Sequence, residues 1–315
     1  MIICVGEALI DFIPQDNGSG RTCFLPSPGG SPYNTAICLG RLDAAVGFLG
    51  KLSTDFFGDM LIDRLTENGV DVSGVVRSNQ PTTLAFVTRD ERGDARYAFF
   101  AENSAERSML PEDVPAELPG DDGALLFGSI STLMEPGATT ITKLVEREDT
   151  RRVVSFDPNV RSNLIPSRSA YVRKFEHLVA HTTIVKISDD DLAWIYPEAS
   201  PEDAAGHLLD LGTRLVVLTQ GAEGSTAITR SAGATAPAAR TTVSDTIGAG
   251  DSFHGGFLAW LHNHDRLSID AVAGLTEQEL RDALTYAAAV SGITCSRAGA
   301  DPPTAGEVAE HLRRG

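Results

Sequence analysis

Apolar residues along this chain form short, almost continuous runs that alternate with segments of helical periodicity. The runs are rich in aliphatic and β-branched residues, as expected of strands that are covered on both faces. They occupy positions 2–5, 46–49, 124–127, 152–156, 184–187 and 215–219. Helical spacing of apolar residues occurs at 32–42, 57–68, 138–147, 170–181, 201–211 and 250–262. This alternation predicts an α/β fold with a doubly wound, mostly parallel central sheet flanked by helices.

Two stretches, 12–28 and 82–100, break this rhythm with alternating polar and apolar residues around turn signals. The turn signals are residues 16–18 and 90–94, and the second stretch predicts a hairpin with arms 84–88 and 96–100. Because neither stretch fits a strand–helix unit, we predict a small antiparallel β lid. It is inserted into a core made of residues 1–11, 29–81 and 101–315. An edge extension of the main sheet is the alternative, and the alanine-rich stretch 231–240 predicts a surface loop.

Composition narrows the range of partners. The chain has 315 residues, 42% hydrophobic and 22% charged, which is typical of a globular protein. Lys and Arg number 26 against 43 Asp and Glu, and the resulting charge of −17 argues against nucleic acid or an anionic membrane as a partner. No apolar run reaches the ~18 residues of a membrane span, and the N-terminus lacks the basic segment of a signal peptide. The four cysteines form no C-x-x-C pair, so we expect Cys4 and Cys38 to be buried and the protein to be cytoplasmic.

The segment 245–253 is the most informative for chemistry. Gly248, Ala249 and Gly250 let the backbone approach a ligand closely, and the helix that follows directs unpaired N–H groups to the same point. Asp251 lies at that helix start, where nearby donors favour its ionised form. A base beside an anion pocket suits phosphoryl transfer. A glycine turn with an N-capping aspartate is the structural alternative.

Residues 29–36, 47–51 and 55–58 resemble the N-terminal signature of the ribokinase (PfkB) family of carbohydrate kinases, and 245–251 resembles its C-terminal signature. Segments 6–11, 157–161 and 219–224 match the family in the same order. The resemblance implies a doubly wound core with a β lid and ATP-dependent phosphorylation of a sugar hydroxyl. Among family members, the chain is most similar to the fructokinases. We keep 2-keto-3-deoxygluconate kinase, nucleoside kinase and a sugar-binding protein that has lost catalysis as alternatives.

The same resemblance implies roles for individual residues. Asp251 would be the catalytic base, with Gly248, Ala249 and Gly250 as the anion hole. The sugar would meet Asp11 at the end of the first strand, together with Gly30, Asn34 and Arg161. The nucleotide would contact Lys186, Ser188, Thr219, Gly221 and Gly224. Asp191 would meet Mg²⁺ through water, and Asp245 with the Ile247 carbonyl would hold a monovalent cation such as potassium.

Several of these assignments have alternatives. Asn34 could cap a helix instead of contacting sugar, and Arg161 could form a surface ion pair. Ala288 replaces an asparagine that many fructokinase-like members place near adenine, which leaves the base contacts open.

Other features fall outside the family motifs. Aromatic residues of the lid, including Phe99 and Phe100, suggest a homodimer formed through it. His177 and His181 have helical i,i+4 spacing, and His262 and His264 lie close together, but no third ligand of matching pattern accompanies either pair. We therefore predict solvated helix surface there. His254 is predicted to be a packing or surface residue.

Overall fold

The computed structural model describes residues 1–16, 18, 22–89, 95–120 and 123–314, with the backbone alone at 16, 22, 88, 89 and 95–97. The predicted turn at 90–94 therefore lies outside the described residues, as does residue 17 of the predicted turn at 16–18. None of the helices in the described ranges is long and apolar enough to cross a membrane.

Strands and helices alternate along most of the chain, as the apolar pattern predicts. The strands are β1 Ile2–Val5, β2 Leu9–Asp16, β3 Thr22–Gly29, β4 Val46–Ser53, β5 Val75–Ser78, β6 Leu84–Arg89, β7 Ala95–Phe100, β8 Ala124–Gly128, β9 Val153–Asp157, β10 Ile184–Ser188, β11 Leu215–Thr219, β12 Ser225–Ile228 and β13 Gly233–Ala236. The helices are α1 Ser31–Arg41, α2 Phe56–Glu67, α3 Gly137–Glu148, α4 Arg168–Ala180, α5 Asp189–Ile195, α6 Pro201–Leu211, α7 Ala249–Asn263, α8 Ile269–Ala273, α9 Glu277–Cys295 and α10 Ala305–Arg314.

The main sheet has nine strands in the order β13-β12-β11-β10-β9-β8-β1-β4-β5. Pairs from β11 through β5 are parallel, whereas β12 and β13 pair antiparallel at one edge. The chain leaves β1 in one direction to β4 and later returns to β8 on its other side. The strand order therefore reverses between β1 and β8, which is where doubly wound sheets bind ligands.

Each face of this sheet carries its own hydrophobic core. Ile2 and Cys4 point into a core shared with Cys38 of α1 and with α7 and α9, whereas Ile3 and Val5 point into a core formed with α3 to α6. This alternation is the period of a strand buried on both sides. Cys4 and Cys38 are fully buried and unpaired, which confirms that prediction.

The prediction of a surface loop at 231–240 is partly wrong. Gly233–Ala236 forms the edge strand β13, in which Ala234 and Ala236 are buried and Gly233 and Thr235 are exposed. Alanine has a low preference for strands, so burial against the helical layer overrode the local signal.

The two irregular stretches form a second sheet of four strands in the order β3-β2-β6-β7. β2 pairs antiparallel with β3, and β6 pairs antiparallel with β7. The two hairpins are joined by parallel pairing of β2 with β6 at Ile10, Asp11 and Phe12. A small separate sheet is therefore confirmed, and the alternative of an edge extension is wrong. We call this four-stranded sheet the lid sheet.

Candidate active site

A cavity of about 270 Å³ opens at the carboxyl ends of β1 and β8, between the main sheet and the lid sheet. Several residues predicted for the site line it together: Asp11, Gly30, Asn34, Arg161, Lys186, Ile247, Gly248, Gly250 and Asp251. Glu7, Ser31, Phe99 and Asp157 line it as well. Residues from both ends of the chain therefore meet at the point where the strand order reverses.

The loop before α7 directs the helix N-terminus into this cavity. Gly248 caps the helix with a φ of 75°, and a Cβ there would lie 2.7 Å from the Cβ of Ala300. Glycine is needed for both reasons. N–H groups in the first turn of a helix have no carbonyl partner within it, so they can bind an anion. The Ala249 N–H already donates to the Thr246 carbonyl at 3.2 Å, which makes it the weakest of the predicted donors.

Asp251 is almost completely buried and is held from two sides by α1. The Ser31 hydroxyl donates to Oδ1 at 2.6 Å and the Asn34 amide donates to Oδ2 at 2.8 Å. These two hydrogen bonds favour the charged carboxylate and lower the pKa of Asp251. Burial has the larger effect, so the pKa is raised above its usual value. Burial therefore acts against the donors at the helix start that favour the ionised form of Asp251, and ionisation of this carboxylate stays a prediction.

The start of α1 is fixed by a buried carboxylate. Glu7 accepts hydrogen bonds from the backbone N–H of Ser31 and of Ser131, each at 3.2 Å. Burial raises the pKa of Glu7 to about 7. Gly30 caps α1 at a φ of 115°, where a Cβ would lie 2.5 Å from the Glu7 carbonyl oxygen. Because Gly30 is the cap and Asn34 lies inside the helix, the capping alternative for Asn34 is wrong.

Asp11 and Arg161 form the polar wall of the cavity on the lid side. Asp11 lies within β2 of the lid sheet rather than at the end of the first strand, which corrects the predicted position. Burial raises its pKa to about 7, with Arg161 lowering it and Asp251 raising it. The Arg161 guanidinium donates to the Asn159 side-chain oxygen at 2.6 Å. Its place in the cavity favours contact with a ligand over a surface ion pair.

A buried ion pair lies at the floor of the cavity, at the ends of two neighbouring strands. Lys186 Nζ donates to Asp157 Oδ2 at 2.9 Å, and both side chains are almost fully buried. Burial alone would lower the pKa of Lys186, but the summed attraction of Asp157, Asp191 and Asp251 raises it. A Cβ on Gly250 would lie 3.1 Å from Nζ, so the ammonium group lies directly beside the first turn of α7.

His254 of α7 lies next to the Lys186–Asp157 ion pair, between α7 and the main sheet. It is fully buried, its Nε2 lies 2.7 Å from the Ser155 hydroxyl and its Nδ1 lies 4.0 Å from Asp157 Oδ2. Burial lowers the pKa of His254 to about 4, so the ring is neutral. Packing is thus confirmed for His254, and exposure on the surface is wrong.

The residues predicted to hold the nucleotide follow β10 and β11 along the same edge of the sheet. Ser188 pairs with Thr219 in the strand register, and Ser188 caps α5 by accepting from the Asp191 N–H at 3.1 Å. Asp191 accepts from the Val160 N–H at 3.1 Å, and burial raises its pKa to about 6. Its carboxylate and that of Asp157 offer hard oxygen donors of the kind Mg²⁺ prefers.

The loop after β11 contains two glycines in conformations that suit them. Gly221 has a φ of 52°, and Gly224 has a φ of 106° with a would-be Cβ only 2.2 Å from the Ala236 carbonyl. Neither residue lines the cavity described above, so their contact with nucleotide stays a prediction. Ala288 lies in α9 and is buried, and the adenine contacts also stay a prediction.

Asp245 ties together the two loops predicted to enclose a monovalent cation. Its Oδ1 accepts from the N–H groups of Thr246 and Ile247, at 2.8 and 3.1 Å, and its Oδ2 accepts from Gly299 at 2.9 Å. Carboxylate and carbonyl oxygens suit such an ion, so the donor set fits. The residues sit close together, and cation binding stays a prediction.

A family model for pfkB family carbohydrate kinases matches residues 1–305. The chain belongs to this family. A fructokinase from Rhizobium leguminosarum bv. trifolii is 40% identical over 282 residues, which is 90% of this chain and 86% of the relative. A crystal structure of fructokinase with bound ATP from Xylella fastidiosa superposes with a TM-score of 0.89 at 28% identity, covering 99% of this chain and 98% of that one.

A second solved structure is a double mutant of fructokinase from Vibrio cholerae O395, with fructose, ADP and a potassium ion bound. It has a TM-score of 0.85 at 25% identity and covers 99% of this chain and 97% of that one. The pfkB carbohydrate kinase described here is thus a phosphotransferase with an alcohol group as acceptor.

Sequence reasoning missed some residues that shape the site of this pfkB kinase. Glu7, Ser31 and Asp157 lie in quoted motifs but were given no role, because a motif match says nothing about which side chain touches which. Ser155 and His254 belong to no motif, and a polar pair at strand and helix positions gives no signal in one sequence. The buried network among them becomes visible only when the strand ends and α7 are brought together.

Proposed function

We propose that this carbohydrate kinase transfers the γ-phosphate of ATP to a hydroxyl of D-fructose, giving fructose 6-phosphate. The observation that carries the proposal is the position of Asp251. Its buried carboxylate lines the cavity between the polar wall of Asp11 and Arg161 and the first turn of α7. The 40% identity with a fructokinase supports fructose as the sugar.

The sugar would occupy the space between the lid sheet and α1. Asp11 would accept hydrogen bonds from sugar hydroxyls, and the Asn34 amide and the backbone at Gly30 would contact others. Arg161 would donate to a sugar oxygen or to the transferred phosphate. Phe99, half-buried on the cavity side of the lid sheet, would close over the ring and exclude water that could hydrolyse ATP.

In the chemical step, Asp251 would take the proton from the primary hydroxyl of the sugar. That oxygen forms a bond to the γ-phosphorus while the bond to the bridging oxygen of ADP breaks, and ADP leaves. The N–H groups of 248–250 and the ammonium group of Lys186 would stabilise charge on the phosphoryl oxygens. A base whose pKa is raised toward the working pH is more effective at this task than an ordinary carboxylate.

Nucleotide would lie along the ends of β10 and β11, over Ser188, Thr219, Gly221 and Gly224. Mg²⁺ held on the Asp191 side would neutralise negative charge on the phosphates. Asp245 and the Ile247 carbonyl would hold potassium, as the ion bound in the Vibrio cholerae structure suggests. The loops they join set the angle of the α7 N-terminus, so a cation there would act on the anion hole.

The experiment that tests this proposal is ADP release over a panel of acceptors: fructose, tagatose, ribose, 2-keto-3-deoxygluconate and adenosine, with and without potassium. We expect the highest kcat/KM with fructose and a gain on adding potassium. A preference for 2-keto-3-deoxygluconate would reassign Arg161 to a substrate carboxylate. Tight sugar binding without turnover on any acceptor would identify a binding protein instead.

We also propose that the outer face of the lid sheet joins two copies of the chain. Phe12, Phe24, Phe86 and Phe100 form one aromatic cluster there, with the Phe12 and Phe86 rings stacked at 4.6 Å. Phe100 and Phe24 remain 63% and 38% exposed, which is unusual for large apolar side chains. Phe99 belongs to the opposite, cavity-facing side, so it does not add to this surface.

Sedimentation equilibrium at micromolar concentration tests the dimer. We expect a dimer for the natural chain and a monomer for Phe100→Glu, with Leu312→Glu, at an exposed leucine in α10, as the control. A monomeric natural chain would contradict the proposal. We place the protein in the cytoplasm, where ATP is available and its four unpaired cysteines stay reduced.

A further inference from the structure

Two histidines and two carboxylates lie close together at the C-terminal ends of α3 and α4. His177 Nε2 lies 2.8 Å from Glu146 Oε1, and His181 Nδ1 lies 2.7 Å from Asp149 Oδ2. The two imidazole rings are 5.0 Å apart, centre to centre. The sequence shows only the i,i+4 histidine pair, because its carboxylate partners come from a different helix, about 30 positions earlier.

The spacing of these atoms suits a metal ion. The ligand atoms of Glu146, His177 and His181 all lie within 4.8 Å of one another. Zinc binds nitrogen and oxygen at roughly 2.0–2.2 Å in a tetrahedron, which places ligand atoms about 3.3 Å apart. His177 and Glu146 are 49% and 39% exposed at their side chains, so rotation alone can bring them to that distance.

The electrostatic setting favours a cation. His181 and Asp149 are the C-terminal cap residues of α4 and α3, so the negative ends of both helix dipoles converge on the cluster. The carboxylates of Glu146 and Asp149 add formal negative charge. Two imidazoles with carboxylates form a donor set that suits Zn²⁺, Ni²⁺ or Cu²⁺ better than Mg²⁺.

This cluster lies away from the proposed active site. α3 leads into the start of β9 and α4 leads into the start of β10, so their C-terminal ends lie at the amino edge of the main sheet. The catalytic cavity opens at the carboxyl edge. A metal bound here would join two neighbouring helices without touching sugar or nucleotide.

We propose that Glu146, His177 and His181, with Asp149 orienting the His181 ring, bind one transition-metal dication of the zinc class, which clamps α3 to α4. Two independent surface ion pairs that bind no metal are the alternative. The proposal does not depend on the sugar that the kinase phosphorylates, and its test needs no substrate.

The test titrates chelator-treated protein with Zn²⁺ by calorimetry, in the absence of nucleotide. It compares the natural chain with His177→Ala, His181→Ala and a matched control, His207→Ala. His207 is also an exposed helix histidine paired with a glutamate, at 3.2 Å from Glu176, but without a second histidine beside it. We expect one tight zinc ion in the natural chain and the control, and at least tenfold weaker binding in either cluster variant.

Two further measurements read out the site directly. Co²⁺ bound to the natural chain is expected to give the intense visible absorption of a four-coordinate ion, which His177→Ala removes. Saturating Zn²⁺ is expected to raise the Tm of the natural chain and of His207→Ala by roughly 2–6 °C, and not that of the cluster variants. Equal zinc stoichiometry and affinity in all four proteins, or only six-coordinate Co²⁺ in the natural chain, would overturn the proposal.

Discussion

Replacing Ser31 by alanine removes one of the two hydrogen bonds that hold the proposed base. The Ser31 hydroxyl donates to Asp251 Oδ1 over 2.6 Å, and both residues are buried. A hydrogen bond to a charged group contributes roughly 1.5–3 kcal/mol. Since about 1.4 kcal/mol corresponds to one pKa unit, the loss raises the pKa of Asp251 by about one to two units.

The sign follows from the form that the bond stabilises. The hydroxyl donates to the ionised carboxylate, so its removal favours the protonated form, which cannot act as a base. In Ser31→Ala the acidic limb of the kcat–pH profile is expected to move up by about one to two units. At pH values well above the new limb, kcat should return close to that of the natural chain.

The assay is steady-state ADP release at saturating sugar and MgATP across the pH range in which the protein stays folded. Ser252→Ala is the matched control, because its hydroxyl donates to the Gly248 carbonyl and does not touch the Asp251 carboxylate. Its acidic limb should stay where it is in the natural chain. An acidic limb in Ser31→Ala that stays in place, or moves to lower pH, would refute the assignment of Asp251 as the base.

Three further variants probe the anion hole, the buried ion pair and the sugar wall. Gly248→Ala should lower kcat by about 10²–10³ because it displaces the anion-hole donors. The control is Gly69→Ala, which has the same φ of 75° but open space around it and should leave kcat unchanged. Equal effects of the two substitutions on kcat would contradict this role of Gly248. Lys186→Met leaves Asp157 as a buried unpaired charge and should lower the free energy of unfolding, measured in urea, by about 3–5 kcal/mol. A decrease under about 1 kcal/mol would be inconsistent with a buried ion pair. The pKa of Asp11 is about 7, so sugar affinity measured by calorimetry should fall as the pH drops through that value, and it should fall much less in Asp11→Asn. The same pH dependence in both proteins would exclude Asp11 as the source.

The core of the fold follows from the sequence because its signals are local. Strands such as β1 and β11 are buried on both faces and therefore appear as continuous apolar runs, which need no knowledge of their neighbours. β13 was missed because Gly233, Ala234 and Ala236 have little strand preference, and packing against α9 decides its conformation. The predicted position of Asp11 was wrong because the chain leaves the main sheet after Val5 and enters the lid sheet at Leu9, and only Gly6 and Glu7 interrupt the apolar pattern between them.

The site was predictable to the extent that backbone geometry defines it. Gly30 and Gly248 have positive φ values and would clash with neighbouring atoms if they carried a Cβ, which is a constraint that a motif records well. Electrostatics was less predictable. The pKa of Asp251 depends on how completely the surrounding elements exclude water, and burial outweighs the donors that the motif displays. The Lys186–Asp157 pair likewise depends on strand register, which the sequence does not show.

The most direct test of the central claim is the kcat of Asp251→Asn, measured together with its affinity for sugar. The substitution keeps the shape of the side chain and removes its basicity. If Asp251 accepts the hydroxyl proton, kcat should fall by about 10²–10⁴ while the sugar Kd changes little. Turnover within about tenfold of the natural chain would show that another group takes the proton and would contradict this account of the site.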